Sequence, residues 1–235
     1  MSNVIHTLML ITLTLLVYQS FAWAQRKIGA IWLNPMLLSI AALIPVMLWA
    51  NISFAQYYQA TLPLHSLLEP AVVALGFPLY QHLRTIKQQF KVIMSLIIFG
   101  VIIVISISFF LSNLLINLPE IAVSLSLKSV TTPIGIALTE QLNGNSSITA
   151  FAIILAGLFG ALLGPTWLNF INVKSAKAQG LAIGAASHAL GTATISKISY
   201  EHGAYGSLSL IISAVITAVL SPSLIPLLVM ALENS

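Results

Sequence analysis

The chain has 235 residues, of which 58% are hydrophobic and only 6% are charged, and its formal net charge is +4. Soluble domains carry roughly 25% charged residues, and a mean hydropathy of +1.01 leaves too little polar surface for a water-soluble globule. The composition therefore excludes a soluble domain and indicates a polytopic membrane protein. The nine basic residues are scattered beside apolar segments, which argues against nucleic-acid binding and predicts that they orient the chain in a membrane.

Eight apolar segments follow one another with short connections. They lie at about 4–24, 30–50, 66–83, 92–116, 119–142, 147–171, 179–197 and 203–231. Continuous runs of about 20 apolar residues are typical of membrane-spanning helices, whereas the strands of a membrane barrel alternate over roughly 10. We expect an all-α polytopic membrane protein with one integral membrane domain over residues 1–235, made of approximate halves 1–117 and 118–235.

The first segment resembles a signal peptide in one respect, because Ala22-Trp23-Ala24 is a small-residue pattern like a cleavage site. No basic residue precedes the segment, however, and Arg26 and Lys27 follow it. This charge distribution favours a retained helix whose N-terminus lies outside.

Basic residues in the connections predict the orientation of the other segments. They are Arg26 and Lys27; Arg84, Lys87 and Lys91; and Lys174 and Lys177. With the N-terminus outside, the first two clusters lie in the cytoplasm, but the third lies there only if segment 119–142 enters and leaves on the same side. The charge pattern therefore predicts a broken or re-entrant element at 119–142.

The local chemistry of this fifth segment agrees with a break. Lys128, Ser129, Thr131, Thr132 and Pro133 fall within six residues of an apolar run. Proline removes a backbone donor, and neighbouring hydroxyls can satisfy the freed groups. A lysine inside a membrane usually faces a cavity or a partner, so these residues are candidates for binding an anionic substrate. The alternatives are that Lys128 snorkels to the headgroups and that the hydroxyls bond nearby carbonyls.

The seventh segment is interrupted in a similar way, because Gly180, Gly184 and Gly191 divide it and its apolar part is short for a full crossing. It carries a second set of candidate substrate-binding residues, namely Ser187, His188, Gly191 and Thr192. His188 could also carry a coupling proton, because the pKa of histidine lies near physiological pH. The alternative is a buried structural histidine.

Two carboxylates are further candidates for a coupling group or a counter-ion of Lys128. Glu69 precedes a proline in the third segment, and Glu140 lies near the end of the fifth. Interrupted segments at related places in two halves are typical of inverted-repeat transporters, so the pattern predicts a carrier with its site near the membrane midplane.

An enzyme is not expected. Ser187 and His188 are adjacent and project in different directions, so they do not form a nucleophile–base pair. The chain has no cysteine and no aspartate, and no metal-ligand cluster or phosphate-binding glycine loop stands out. We therefore expect no catalytic residue, no metal site and no cofactor.

Three motifs resemble hallmarks of the LrgB/CidB family. They are Lys-Ser-Val-Thr-Thr-Pro-Ile-Gly at 128–135, Gly-Leu-Ala-Ile-Gly-Ala-Ala-Ser-His-Ala-Leu-Gly-Thr-Ala at 180–193 and His-Gly-Ala-Tyr-Gly-Ser-Leu at 202–208. The resemblance extends over roughly residues 5 to 230. Ala185, Ala189 and Thr194 depart from the pattern, and the last stands where a basic residue is frequent in the family.

The resemblance implies a multi-pass protein of the bacterial cytoplasmic membrane, with two functions left open. Bacterial and plastid relatives, including the plastidial glycolate/glycerate transporter, are linked to movement of small carboxylates such as pyruvate, glycolate and glycerate. Other members are described as antiholin-like regulators of murein hydrolase export and autolysis, acting with a holin-like LrgA/CidA-type partner. Together with the interrupted helices, the resemblance implies an elevator-like carrier that forms a homodimer.

Overall fold

The computed structural model describes residues 2–28, 33, 35–67, 70, 73–74 and 76–233. Over these ranges the chain is all-helical and contains no strand, which confirms the predicted all-α class. The chain divides into two compact units, Met1–Ala74 and Leu75–Ser235. The candidate residues that the structure describes all lie in the second unit.

The described part of the first unit includes the helices α1 (Ser2–Ile28), α2 (Pro35–Trp49) and α3 (Phe54–His65), and residues 70, 73 and 74 are also helical. Helix α1 packs against both of the others. The Thr14 hydroxyl of α1 lies 2.8 Å from the Tyr57 hydroxyl of α3, within hydrogen-bonding distance.

Helix α3 differs from the prediction, because residues 51–65 lie between the predicted apolar segments 30–50 and 66–83 and were expected to form a connection. A capping box begins this helix: the Ser53 hydroxyl accepts from the backbone N–H of Gln56, and the Gln56 side chain accepts from the N–H of Ser53. This reciprocal pair satisfies two otherwise free backbone donors at the helix start.

The second unit contains seven helices in its described part. They are α4 (Gly76–Gln81), α5 (Leu83–Ile116), α6 (Pro119–Ser126), α7 (Thr132–Gln141), α8 (Ser146–Phe170), α9 (Ala176–Ile195) and α10 (Tyr200–Glu233). Helix α9 packs most extensively on α10 and next on α8, while α5 packs on α6 and α10.

Buried side chains four residues apart give α5 its inner face. Ile93, Ile97, Val101, Ile105 and Phe109 are all buried in the core of the second unit, as expected for one stripe of an α-helix. They pack α5 against α6 and α10, and so hold the end of α6, where the first helix break begins, against α5.

Four helical segments in the described part of the chain are long and apolar enough to cross a membrane. They are Ile5–Ile28, Ile86–Ile116, Ser146–Phe170 and Tyr200–Leu232. Helices α6 and α7, at 8 and 10 residues, are each too short for a hydrocarbon core about 30 Å thick. The segment predicted to be broken is therefore made of two half-length helices.

Candidate functional site

The first helix break lies between α6 and α7, at residues 127–131. The backbone N–H of Asn145, just beyond α7, donates to the Ser124 hydroxyl on α6 over 2.7 Å. A continuous helix would separate these two residues by about 30 Å. The chain therefore turns back at the break and returns to its starting helix, which confirms the broken element and matches the geometry of a re-entrant hairpin.

Buried hydroxyl groups hydrogen-bond this hairpin to α8. The Thr149 hydroxyl of α8 donates to the Ser124 carbonyl of α6 over 3.1 Å and lies 2.7 Å from the Thr139 hydroxyl of α7. The Ser124, Thr139 and Thr149 side chains are fully buried. Because polar groups inside a membrane protein need partners, the Thr139 and Thr149 hydroxyls and the Ser124 carbonyl join α6, α7 and α8 into one packed group.

Lys128 lies within the first break and is half-buried. Its ammonium donates to the Ser108 hydroxyl on α5, and among the described residues no carboxylate lies within 4 Å of it. Glu140, proposed as a counter-ion, is exposed and lies about 12 Å from the start of α7 along the helix. Its carboxylate accepts a hydrogen bond from the Ser146 hydroxyl over 3.4 Å. Glu69, the other proposed counter-ion, lies outside the described residues.

The start of α7 is uncapped by side chains, contrary to the expectation that the neighbouring hydroxyls satisfy it. Thr131 is the N-cap residue in an extended conformation, but its hydroxyl makes no capping hydrogen bond. Pro133 stands in the first turn of α7, where a missing N–H costs nothing, so it begins this helix and does not kink one. Ser129, Thr131 and Thr132 are half-buried, and the backbone N–H groups of Thr132 and Ile134 at the helix start have no side-chain cap.

The second break lies inside α9, at Ser187 and His188. Their backbone angles are non-helical, and His188 has φ 41° and ψ −141°, a conformation that costs a non-glycine residue about 1–3 kcal/mol. Because a carbonyl only accepts, the His188 Nε2–H donates to the Ile153 carbonyl on α8 over 2.8 Å. The Thr192 hydroxyl in turn donates to the His188 carbonyl over 2.9 Å, so both groups are held in place.

Glycines on α8 and α9 make room for this second break. A methyl group on Gly160 would lie 1.5 Å from the Ser187 Oγ, and one on Gly157 would lie 2.5 Å from the His188 Nε2. A methyl group on Gly191 would lie 2.4 Å from the Ser187 Cβ. The break therefore docks against α8 only because these positions have no side chain.

Ile153 of α8 lies between the two breaks. Its carbonyl accepts from His188, and its Cδ1 would lie 2.5 Å from a methyl group on Gly135, in the first turn of α7. A cavity of about 600 Å³ is lined at one end by Ser129 of the first break and by Ala186, which directly precedes the second. The two breaks thus converge on one region of the second unit.

The structure brings the two predicted sets of residues into this region, but directs their side chains to different elements. Lys128 reaches α5 and His188 reaches α8. The hydroxyls of Ser129, Thr131 and Thr132 lie at the first break, and Ser187, Gly191 and Thr192 lie at or within one turn of the second.

Sequence reasoning missed several residues that form the region, namely Ser108, Ile153, Gly157 and Gly160. The two glycines, with Gly164, give a three- and four-residue spacing of small residues that is typical of close helix packing in membranes, and this signal was available. Nothing in the sequence near Ser108 or Ile153 marks either as a partner of a break.

Curated relatives from bacteria match nearly the whole chain. The holin-like protein CidB of Staphylococcus epidermidis is 34% identical over 225 residues, covering 96% of this chain and 98% of the relative. The holin-like protein CidB of Staphylococcus aureus is 33% identical with the same coverage. An uncharacterized protein of Haemophilus influenzae is 31% identical over 85% of this chain and 88% of its own length. No solved structure matches the chain.

The sequence model of the LrgB-like family matches residues 14–227, which include both helix breaks. The four apolar helices of sufficient length agree with membrane insertion. The chain is therefore a multi-pass membrane protein that belongs to the LrgB-like family.

Proposed function

We propose that this protein is a carrier of small carboxylates in the bacterial cytoplasmic membrane and that it catalyses no chemical reaction. The observation that supports the proposal best is the convergence of the two helix breaks on Ile153. Helices broken near the middle of a membrane protein expose backbone donors and acceptors, and carriers use such groups to bind ions and substrates. A surface that only contacts a partner has no need of them.

The first break supplies the groups that an anion requires. Lys128 carries a positive charge without a carboxylate partner among the described residues, and the start of α7, four residues further along the chain, has no side-chain cap on its backbone N–H groups. A cation and a helix N-terminus both favour a negative charge. We assign the substrate carboxylate to these groups and its hydroxyl or keto oxygen to Ser129, Thr131 and Thr132.

The second break supplies a group that can carry a proton. The Nε2–H of His188 donates a hydrogen bond to the Ile153 carbonyl. The other ring nitrogen, Nδ1, can accept a proton. We propose that proton coupling, where it occurs, uses His188, with Ser187 and Thr192 on the substrate side. An elevator-like motion of the packed α6–α9 group within a homodimer is the mechanism we propose for moving the site.

Uptake into proteoliposomes holding the purified protein tests this function. We expect saturable uptake of labelled pyruvate, glycolate or glycerate, with at least a tenfold loss in Lys128→Ala. Lys174→Ala removes an exposed lysine of the loop before α9 and is expected to retain uptake. An inward proton gradient that raises wild-type uptake but has no effect on His188→Ala would support coupling through this histidine.

A second function is favoured by the staphylococcal relatives, which are named holin-like proteins. On this alternative the chain acts as an antiholin-like regulator of murein hydrolase export and autolysis, through a holin-like LrgA/CidA-type membrane partner. Folded wild-type protein that moves none of the three carboxylates, but alters autolysis only when the partner is co-expressed, would favour the regulator over the carrier.

A further inference from the structure

An apolar groove extends from the helix breaks to the first turn of α9. The cavity of about 600 Å³ continues along α5 past Gly100 and along α9 past Ala182 and Ala178. At its outer end it is lined by Ser175 and Lys177. We call this cavity the α5–α9 groove.

The groove is long enough to hold most of an acyl chain. Its lining runs along α9 from Ser175 to Ala186 and along α5 from Gln89 to Ile105, which correspond to about 16 Å and about 24 Å of helix. Half of a hydrocarbon core about 30 Å thick is about 15 Å. The groove therefore extends over at least the thickness of one leaflet, from the first turn of α9 to the residues beside the breaks.

The outer end carries a positive charge suited to an anionic headgroup. Lys177 is half-buried, its ammonium lies 5.8 Å from the centre of the Tyr205 ring, and no carboxylate among the described residues lies within 4 Å of it. Ser175 is the N-cap of α9 but its hydroxyl makes no capping hydrogen bond. A held cation beside uncapped N–H groups is a favourable place for a phosphate.

The lining of the groove restricts what can occupy it. Away from Ser129 and the breaks, its walls are mostly isoleucine, valine, leucine and alanine side chains. Such walls offer a small carboxylate no hydrogen-bonding partner, so the proposed carboxylate site is confined to the end at the breaks. A single acyl chain meets both the length and the apolar lining of the rest of the groove.

We propose that the α5–α9 groove binds one anionic phospholipid, with its phosphate at Lys177 and the start of α9 and one acyl chain extending toward the two breaks. Gly100 shows that the middle of the groove is open, because a methyl group placed on it would have no atom within 4 Å. The inference does not depend on the carrier function, because lipid binding is measured without transport.

Native mass spectrometry of the delipidated full-length protein tests the proposal, with phosphatidylglycerol and phosphatidylcholine of identical chains. We expect one phosphatidylglycerol to bind more tightly than phosphatidylcholine, and Lys177→Gln to weaken it about fivefold, the effect of one lysine near a membrane surface. Gly100→Leu fills the groove with a good helix former and is expected to abolish this binding. Lys174→Gln makes the same charge change three residues earlier and is expected to have less than a twofold effect.

Several results would overturn the proposal. Equal binding of the two lipids, or unchanged phosphatidylglycerol binding in Lys177→Gln and in folded Gly100→Leu, would show that the groove holds no specific lipid. Displacement of the lipid by glycerol phosphate alone would assign the site to a free phosphate. A shift from dimer to monomer in Gly100→Leu with lipid binding intact would assign the groove to a second copy of the chain.

Discussion

His188 combines a strained backbone with an engaged side chain. Its φ of 41° is rare for a residue with a side chain, and its ring is held by the Ile153 carbonyl. Strain of this kind persists only where the surroundings fix the residue, and it concentrates at functional sites. The sequence indicated His188 as a candidate because it lies in a glycine-rich stretch, but the positive φ depends on packing against α8 and could not be predicted locally.

Replacing His188 by two small residues separates its backbone role from its side-chain role. His188→Gly removes the ring but accepts the backbone angles without strain, whereas His188→Ala keeps a Cβ there. We expect the glycine variant to be more stable than the alanine variant by about 1 kcal/mol, as measured by unfolding in SDS. An alanine variant at least as stable as the glycine variant would contradict the strained conformation.

The glycines of α8 are expected to be intolerant of any side chain. Gly160→Ala places a methyl group 1.5 Å from the Ser187 Oγ, so it should destabilise the protein by about 1–3 kcal/mol and lower its melting temperature in detergent. Gly100→Ala is the matched control, because a methyl group there has no atom within 4 Å. The control should gain about 0.5–1 kcal/mol from helix propensity. Similar melting temperatures for both variants would refute the close approach of α8 to the second break.

At the scale of elements, the two helix breaks were predictable and their arrangement was not. The charge pattern and Pro133 indicated an interruption in 119–142, and the glycines around Ser187 indicated one in 179–197. That α7 returns to α6 follows from the Asn145–Ser124 hydrogen bond, which joins residues 21 positions apart. Such long-range contacts depend on how helices pack, and no local signal in one sequence specifies them.

The hydroxyls between α7 and α8 should show measurable coupling. In a double-mutant cycle of Thr139→Val and Thr149→Val, whose hydroxyls lie 2.7 Å apart, we expect a coupling energy of about 0.5–1.5 kcal/mol in SDS unfolding. Thr194→Val is the control partner, because its hydroxyl donates to the Leu190 carbonyl of its own helix. A coupling as small as that between Thr149 and Thr194 would mean that the hydroxyls do not join the two helices.

At the scale of the whole molecule, the composition alone predicts that the chain is inserted in a membrane. The basic residues predict its orientation across that membrane. The all-α class, the broken helices and membership of the LrgB-like family agree with the sequence analysis. The predicted inverted repeat, the homodimer and the single membrane domain stay predictions. The helix over 54–65 was missed because that stretch, with its tyrosines, glutamines and prolines, has no long apolar run to indicate a helix.

Cysteine labelling of intact cells tests the orientation, because the natural chain has no cysteine. We expect a membrane-impermeant maleimide to label Leu118→Cys and Ser147→Cys from outside, since these residues flank the α6–α7 hairpin. Lys174→Cys, in the connection between α8 and α9, should be labelled only after the cells are permeabilised. Labelling of Leu118→Cys and Ser147→Cys from opposite sides would show that the hairpin crosses the membrane.

The central claim is that the two helix breaks bind the transported carboxylate, and substrate protection of Ser129→Cys tests it most directly. Ser129 lies in the first break and lines the cavity that the second break borders. In proteoliposomes that take up a carboxylate, we predict that the same carboxylate slows the reaction of Ser129→Cys with maleimide at least threefold, while Lys174→Cys reacts at an unchanged rate. A transported carboxylate that leaves the labelling rate of Ser129→Cys unchanged would contradict the account.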